Sequence, residues 1–184
     1  MNMSDVLVYR VATIEDCDSL ANLVNISYRN EPTCQGWTNE NELVSGLRTN
    51  SDDLRDIINS NESIILLFIH KIEEILIGCI HLQHNPETKT GYLGILSVRP
   101  DLQIKGYGKF ILSTGERYVI DKWNVDYIQM TVVLQRTELI GFYHRRGYTD
   151  TGRRLPFHST KFGIPKRNDL EFCVMHKCVK INQE

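Results

Sequence analysis

From Val98 to Lys109 the chain reads Val-Arg-Pro-Asp-Leu-Gln-Ile-Lys-Gly-Tyr-Gly-Lys. An apolar strand runs through a proline stop into a glycine-punctuated turn, and the turn opens a helix. The first backbone N–H groups of a helix have no internal acceptor, and glycines at its mouth remove the side chains that would hold an anion at a distance. The helix dipole adds about half a positive charge at that end. Lys105 and Lys109 supply whole charges beside it. The segment therefore predicts a strand, an anion-binding turn and a helix in direct succession, with a diphosphate as the natural ligand.

What the turn lacks narrows that ligand. A nucleoside-triphosphate loop needs glycine five positions before its Gly-Lys pair and Ser or Thr after it, but Gln103 and Phe110 hold those places. A dinucleotide fingerprint needs a third small residue where Ile111 stands, although Asp126 lies at a fitting distance for the ribose contact.

Periodicity organises the rest into one α/β domain over residues 1–184. Leu7 to Val11 alternates as a strand, and Thr13 caps a helix with Cys17, Leu20, Ala21 and Val24 on one face. After a loop through Pro32 and Gly36, Asn39 with Glu42 predicts a short helix carrying Leu43, Val44 and Leu47. A further helix follows, with Asp52 and Asp53 near its start and Leu54, Ile57 and Ile58 on one side. Strands are expected over Ser63–His70, Ile75–Gln83 and Tyr92–Val98, the last with a bulge at Gly94. The helix after the glycine turn runs to about Trp123 with Ile111, Leu112, Tyr118 and Val119 facing the core. Then come a strand from Tyr127 to Leu134, a helix from its cap Thr137 to Arg146, and a last strand pair near Tyr148–Arg153 and Leu170–Val179. The fold class is α/β, with a mixed central sheet of about six to seven strands flanked by helices.

Composition excludes several functions. A net charge of −2 and a pI near 6.3 give no basic field for nucleic acid. No apolar run reaches the roughly 18 residues of a membrane span, and the opening residues lack a secretory pattern, so a cytoplasmic location is expected. The five cysteines are odd in number and lack secretory context, which predicts thiols rather than a disulfide framework. Cys173, His176 and Cys178 resemble a ligand set, but in a strand Cys173 faces away from the other two, so no metal is expected.

Gln103, Gly106 and Gly108 form a Gln-x-x-Gly-x-Gly pattern, and Tyr143 to Tyr148 end a helix as Tyr-x-x-x-Gly-aromatic. Together and in this order they resemble the two markers of the GNAT family of N-acetyltransferases, and the element order resembles that fold over nearly the whole chain. Tyr28, Arg29, Gly36, Trp37 and Thr38, with Arg145 to Thr149, look like a bacterial-type subgroup of it. The resemblance implies acetyl-coenzyme A as cofactor, and acetyl transfer by direct attack of a primary amine on a small molecule or a protein, with a homodimer a frequent assembly. It implies pyrophosphate contacts from Gln103, Ile104, Lys105, Gly106, Tyr107, Gly108 and Lys109. Pantetheine pairing falls to Leu96, Ser97 and Val98, with Val98 N–H as the oxyanion donor, and Tyr143 is the acid for the departing thiolate.

Two positions depart from the family pattern. Relatives often carry a carboxylate near Gly94, but no Asp or Glu lies between Tyr92 and Val98. The base must then be a water chain, His81 or Glu40. Arg136 falls where relatives place asparagine, and there it is expected to meet a cofactor phosphate. Acceptor choice is assigned to Tyr28–Arg48, with Tyr28, Trp37 and Glu40 as substrate-side candidates alongside His81. The missing carboxylate also motivates a silent coenzyme A-binding sensor as an alternative, and a longer-acyl transferase is a second one.

Overall fold

The computed structural model describes residues 3–29, 40–158 and 162–180. In chain order the elements are α1 (Met3–Val6), β1 (Leu7–Val11), α2 (Cys17–Tyr28), β2 (Val44–Ser45), α3 (Ser51–Asn59), β3 (Ser63–His70), β4 (Leu76–Asn85), β5 (Thr90–Val98), α4 (Tyr107–Trp123), β6 (Tyr127–Val133), α5 (Thr137–His144), β7 (Thr149–Pro156), β8 (Ile164–Pro165) and β9 (Glu171–Cys178). Seven strands form one sheet in the order β1-β3-β4-β5-β6-β9-β7, and β2 pairs with β8 apart from it. Every neighbouring pair is antiparallel except β5 and β6.

The continuous apolar runs of β3 and β4 are explained by burial on both faces. Leu66, Phe68, Ile80 and Leu82 pack in one cluster with residues of α4 and α5, whereas Ile65, Leu67 and Cys79 pack in another with α2 and α3. Glycines bring α4 unusually close to the sheet. A Cβ at Gly115 would lie 3.0 Å from Ile80 Cδ1, and one at Gly91 would lie 3.0 Å from Val119 Cβ. These contacts hold the second half of α4 against β4 and the beginning of β5, and at the other end a Cβ at Gly108 would lie 3.8 Å from Val98 Cγ2.

Three local expectations change. The helix predicted after Asn39 is absent from the described part of that segment, where residues 41–43 turn and Val44–Ser45 pair with Pro165 and Ile164. Burial of Glu40 and Val44 overrides the capping pattern there. Arg136, not Thr137, is the cap of α5, and Thr137 is its first helical residue. The bulge expected at Gly94 falls just beyond it. Gly94 still pairs with His81, but the register shifts before Ser97 pairs with Cys79, and Ile95 has φ +47°.

Candidate active site

The parallel pairing of β5 and β6 ends early. Thr90, Gly91 and Tyr92 pair with Tyr127, Ile128 and Gln129, and beyond them the two strands diverge. Tyr92 Oη and Thr131 Oγ1 lie 2.8 Å apart across the opening, a side-chain hydrogen bond where the backbone ladder has stopped. The end of β5 is thus a strand with one side unpaired. Arg99 N donates to Ile77 O at 2.9 Å, so the alternating register turns Val98 away from β4 and toward the gap. Val98 O accepts from Gln103 Nε2 and Ser27 Oγ, each at 3.1 Å, which ties the glycine turn and α2 to the strand end.

A cavity of about 290 Å³ occupies the gap. Leu96 and Val98 form one wall, Gln103, Ile104, Gly106, Gly108 and Lys109 the mouth, and Leu139, Phe142, Tyr143 and Arg146 the other wall. Ser97 pairs with Cys79 of β4 and does not line the cavity, contrary to its expected pantetheine contact. Lys105 is exposed at the rim, and the Tyr107 side chain packs against the core, so only its backbone can serve a ligand.

The turn has the geometry of an anion cradle. Gly106 adopts φ +90°, a conformation that glycine enters without the penalty of a Cβ. The first bond of α4 runs from Phe110 N to Gly106 O at 3.1 Å, leaving the amides of Tyr107, Gly108 and Lys109 without an intrahelical acceptor. These amides, the α4 dipole and the Lys109 ammonium converge at one place, so the residues present fit the diphosphate of coenzyme A.

Deeper in, a buried ion network joins Glu40 to Arg29 and Arg136. Glu40 is 6% exposed, and its carboxylate accepts from Arg29 Nη1 and, at 3.1 Å, from Arg136 Nη1. With both oxygens held by guanidinium groups, it is an internal clamp rather than a solvated residue or a free base. Arg136 donates from Nε to Glu138 Oε1 at 3.2 Å and is itself 4% exposed. Arg136 also lines the cofactor cavity, with Nε and Nη1 engaged by carboxylates and Nη2 buried without a hydrogen-bond partner. Arg29 also donates from Nη2 to Phe162 O at 2.8 Å, linking the segment before β8 to the same network.

Tyr143, held on α5 between Phe142 and Tyr148 with ring centroids 5.2 and 5.8 Å away, lines the cavity's inner end. Burial pushes its phenol well above the ordinary range, so it stays protonated at neutral pH. Tyr28 lines the same end, and burial pushes it up to about 12.

A second cleft of about 550 Å³ opens on the far side of β5, against α3. His81, Tyr92, Gly94 and Ile95 are on its wall. His81 is 8% exposed, its Nε2 lies 3.3 Å from Ser63 Oγ, and its Nδ1 lies 3.5 Å from the point a Cβ on Gly94 would occupy. A junction of about 80 Å³, bounded by Tyr28, Gly94, Leu96 and Tyr143, shares residues with both spaces. Trp37 lies outside the described residues. Among the described residues, no three His, Cys, Asp or Glu side chains group to hold a metal ion, and no helix is long and apolar enough to cross a membrane. Sequence reasoning missed Arg48, Tyr92 and Phe162 as lining residues. Arg48 lay in the segment assigned to the acceptor, but a single arginine gives no charge-run signal.

A splayed parallel pair with an amide cradle at its mouth and a second cleft behind it defines an acyl-carrier-dependent transferase. The model of the acetyltransferase (GNAT) family matches residues 25–148, and the chain belongs to that family. It is accordingly an acyl-coenzyme A-dependent N-acetyltransferase whose cofactor is acetyl-coenzyme A, acting on an amine. Similar solved structures include a spermidine N-acetyltransferase from Vibrio cholerae in complex with CoA and spermine, at 17% identity and TM-score 0.68, covering 95% of this chain and 96% of that one. The spermidine/spermine N-acetyltransferase SpeG from Vibrio cholerae with manganese ions aligns at 18% identity and TM-score 0.67, covering 96% and 95%. At these identities the likeness extends to the fold. No curated protein matches the sequence.

Proposed function

We propose that this enzyme acetylates a primary amine on a small molecule by direct attack, with the acyl carrier entering from one side of β5 and the acceptor from the other. The observation that carries the reading is that two separate spaces meet at one junction beside the β5 bulge. The acceptor cleft of about 550 Å³ lies within the usual range of about 300–1,000 Å³ for small-molecule sites. Bound acetyl-coenzyme A supplies the thioester carbonyl and the leaving thiolate.

The chain's own groups supply the rest. Val98 N–H faces the open side of β5, where a fixed backbone dipole stabilises a developing oxyanion. Tyr143, kept protonated by burial, donates its Oη proton to the departing sulfur. His81 takes the proton of the incoming amine, directly or through one water, while Ser63 holds its Nε2 side. The junction of about 80 Å³ favours a short acyl group over a longer one.

The test is thiol release from acetyl-, propionyl- and succinyl-coenzyme A against a panel of amines and a lysine peptide. Release with acetyl donor and small amines, reduced at least about tenfold in His81→Gln, supports the reading. Micromolar coenzyme A binding without release across the panel would identify a sensor instead.

A further inference from the structure

Arg48 and Arg136 line the junction between the two spaces, and Glu40 is the one buried carboxylate lining it among the described residues. Glu40 engages Arg29 and Arg136. Arg48 makes no carboxylate contact among the described residues. Its Cζ lies 5.3 Å from the centre of the Tyr28 ring and 4.9 Å from that of Phe162. It lines both the junction and the acceptor cleft, and Tyr28, which feels its charge, lines the cofactor side as well. Thr49 and Arg48 are anchored by their backbones, which donate to Asn25 Oδ1 at 3.2 and 2.7 Å. The result is a cation whose backbone is held by α2 and whose guanidinium carbon lies over two aromatic rings.

Aromatic rings attract a guanidinium without accepting its in-plane hydrogen bonds, and its N–H fork matches a carboxylate with two parallel hydrogen bonds. The rest of the cleft limits how much negative charge can accompany it. Asp53 and Asp56 stand exposed on the α3 wall, where they disfavour a polyanion, and Asp53 already serves the helix cap through Asn50. They do not balance Arg48 from inside. A polyamine would meet Arg48 at the junction with no unpaired buried carboxylate among the described residues to receive it.

We infer that Arg48 is the acceptor-specificity residue and that the acceptor is an amine carrying one carboxylate, of the amino-acid class. This rests on the acetyltransferase reading above and names the substrate class of its second cleft. The carboxylate sits on Arg48 between Tyr28 and Phe162, and the amino group reaches the junction beside Gly94.

Matched pairs that differ only in the carboxylate test it: phenylalanine against phenethylamine, tyrosine against tyramine, lysine against cadaverine. Thiol release should favour the carboxylate member by at least about tenfold in kcat/KM, the scale of a charge-assisted hydrogen bond. Arg48→Gln should bring that ratio toward one by raising KM, with the acetyl-coenzyme A Kd within twofold of wild type as the folding control. Arg48→Lys, which keeps the charge but not the fork, should recover only part of the ratio. Equal kcat/KM within each pair, or a ratio unmoved by Arg48→Gln, overturns the inference while leaving the enzyme intact. If no amine is turned over, calorimetry of the coenzyme A-saturated protein with N-acetylphenylalanine and its amide still decides. Selective binding of the acid, lost in Arg48→Gln, would sustain the Arg48 site and defeat the catalytic reading, and no preference would defeat both.

Discussion

Replacing Glu40 with glutamine should destabilise the protein far more than its position in an irregular segment suggests. The carboxylate is buried, and the side chains of Arg29 and Arg136 that it joins are only 6% and 4% exposed. Each guanidinium already has one buried nitrogen without a partner, Nε of Arg29 and Nη2 of Arg136. Glutamine keeps one acceptor oxygen and points two new donors at groups that are themselves only donors. Removing one member of a buried ion network typically costs about 3–5 kcal/mol because the remaining charge is left unsolvated. For a domain of this size about 1 kcal/mol moves Tm by roughly 2–4 °C, so the expected fall is roughly 6–20 °C. Thermal unfolding followed by circular dichroism, with a urea titration to check that m is unchanged, measures it. Asp169→Asn is the control. That carboxylate pairs with Arg167 at 2.6 Å, but the partners are 61% and 49% exposed, and solvent screening leaves such pairs little effect on stability. If Glu40→Gln lowers Tm no more than Asp169→Asn does, the network is solvated in solution and the argument fails.

Three further outcomes are expected. Tyr143→Phe should cut kcat at least about tenfold, at the low end of what a positioned proton donor contributes, while the acetyl-coenzyme A Kd stays within twofold; unchanged turnover removes Tyr143 as the acid. Gly108→Glu places a carboxylate among the free amides of α4, so calorimetry should show coenzyme A affinity down at least about tenfold while Tm holds or rises slightly from the helix-dipole contact. Affinity near that of wild type would move the diphosphate site elsewhere. Asp16, whose carboxyl is held down to about 2 by hydrogen bonding from Arg10, stabilises the fold above the ordinary carboxylate range near pH 4 and loses that effect as pH falls through about 2. Asp16→Asn should therefore unfold about 1 kcal/mol more easily at pH 7, and the difference should close toward pH 2 in a denaturant titration.

The cofactor side was legible because its signals are local. A glycine turn before a helix exposes amides whatever the rest of the fold does, and Gln103, Gly106 and Gly108 line the mouth of the cavity. The alternation of Leu7–Val11 and the apolar run Ser63–His70 likewise appear as strands with those bounds. What local pattern cannot carry is pairing between distant residues. Glu40 reads as a polar residue near a helix start, and only the approach of Arg29 and of Arg136, far along the chain, makes it a buried clamp. Arg48 reads as a lone surface cation until Tyr28 and Phe162 close on it. His81 sits in a strand that gives no hint of which space its ring faces.

The bulge at Ile95 joins the two halves of the site. A β-branched residue at φ +47° lies in the left-handed region, where sparsely populated conformations cost of order 1–3 kcal/mol and persist when the surroundings hold them. Here the surroundings are the β4 ladder on either side, with His81 opposite Gly94 and Cys79 opposite Ser97. The extra residue shifts the register between those pairs, so Leu96 and Val98 face the gap toward β6 while Gly94 and Ile95 remain on the wall of the other cleft. A regular strand would keep one unbroken ladder to β4 and separate the two spaces by a continuous backbone. The strain at one residue and the early end of the β5–β6 ladder together open the junction, so a donor held on one side of β5 can meet an acceptor held on the other.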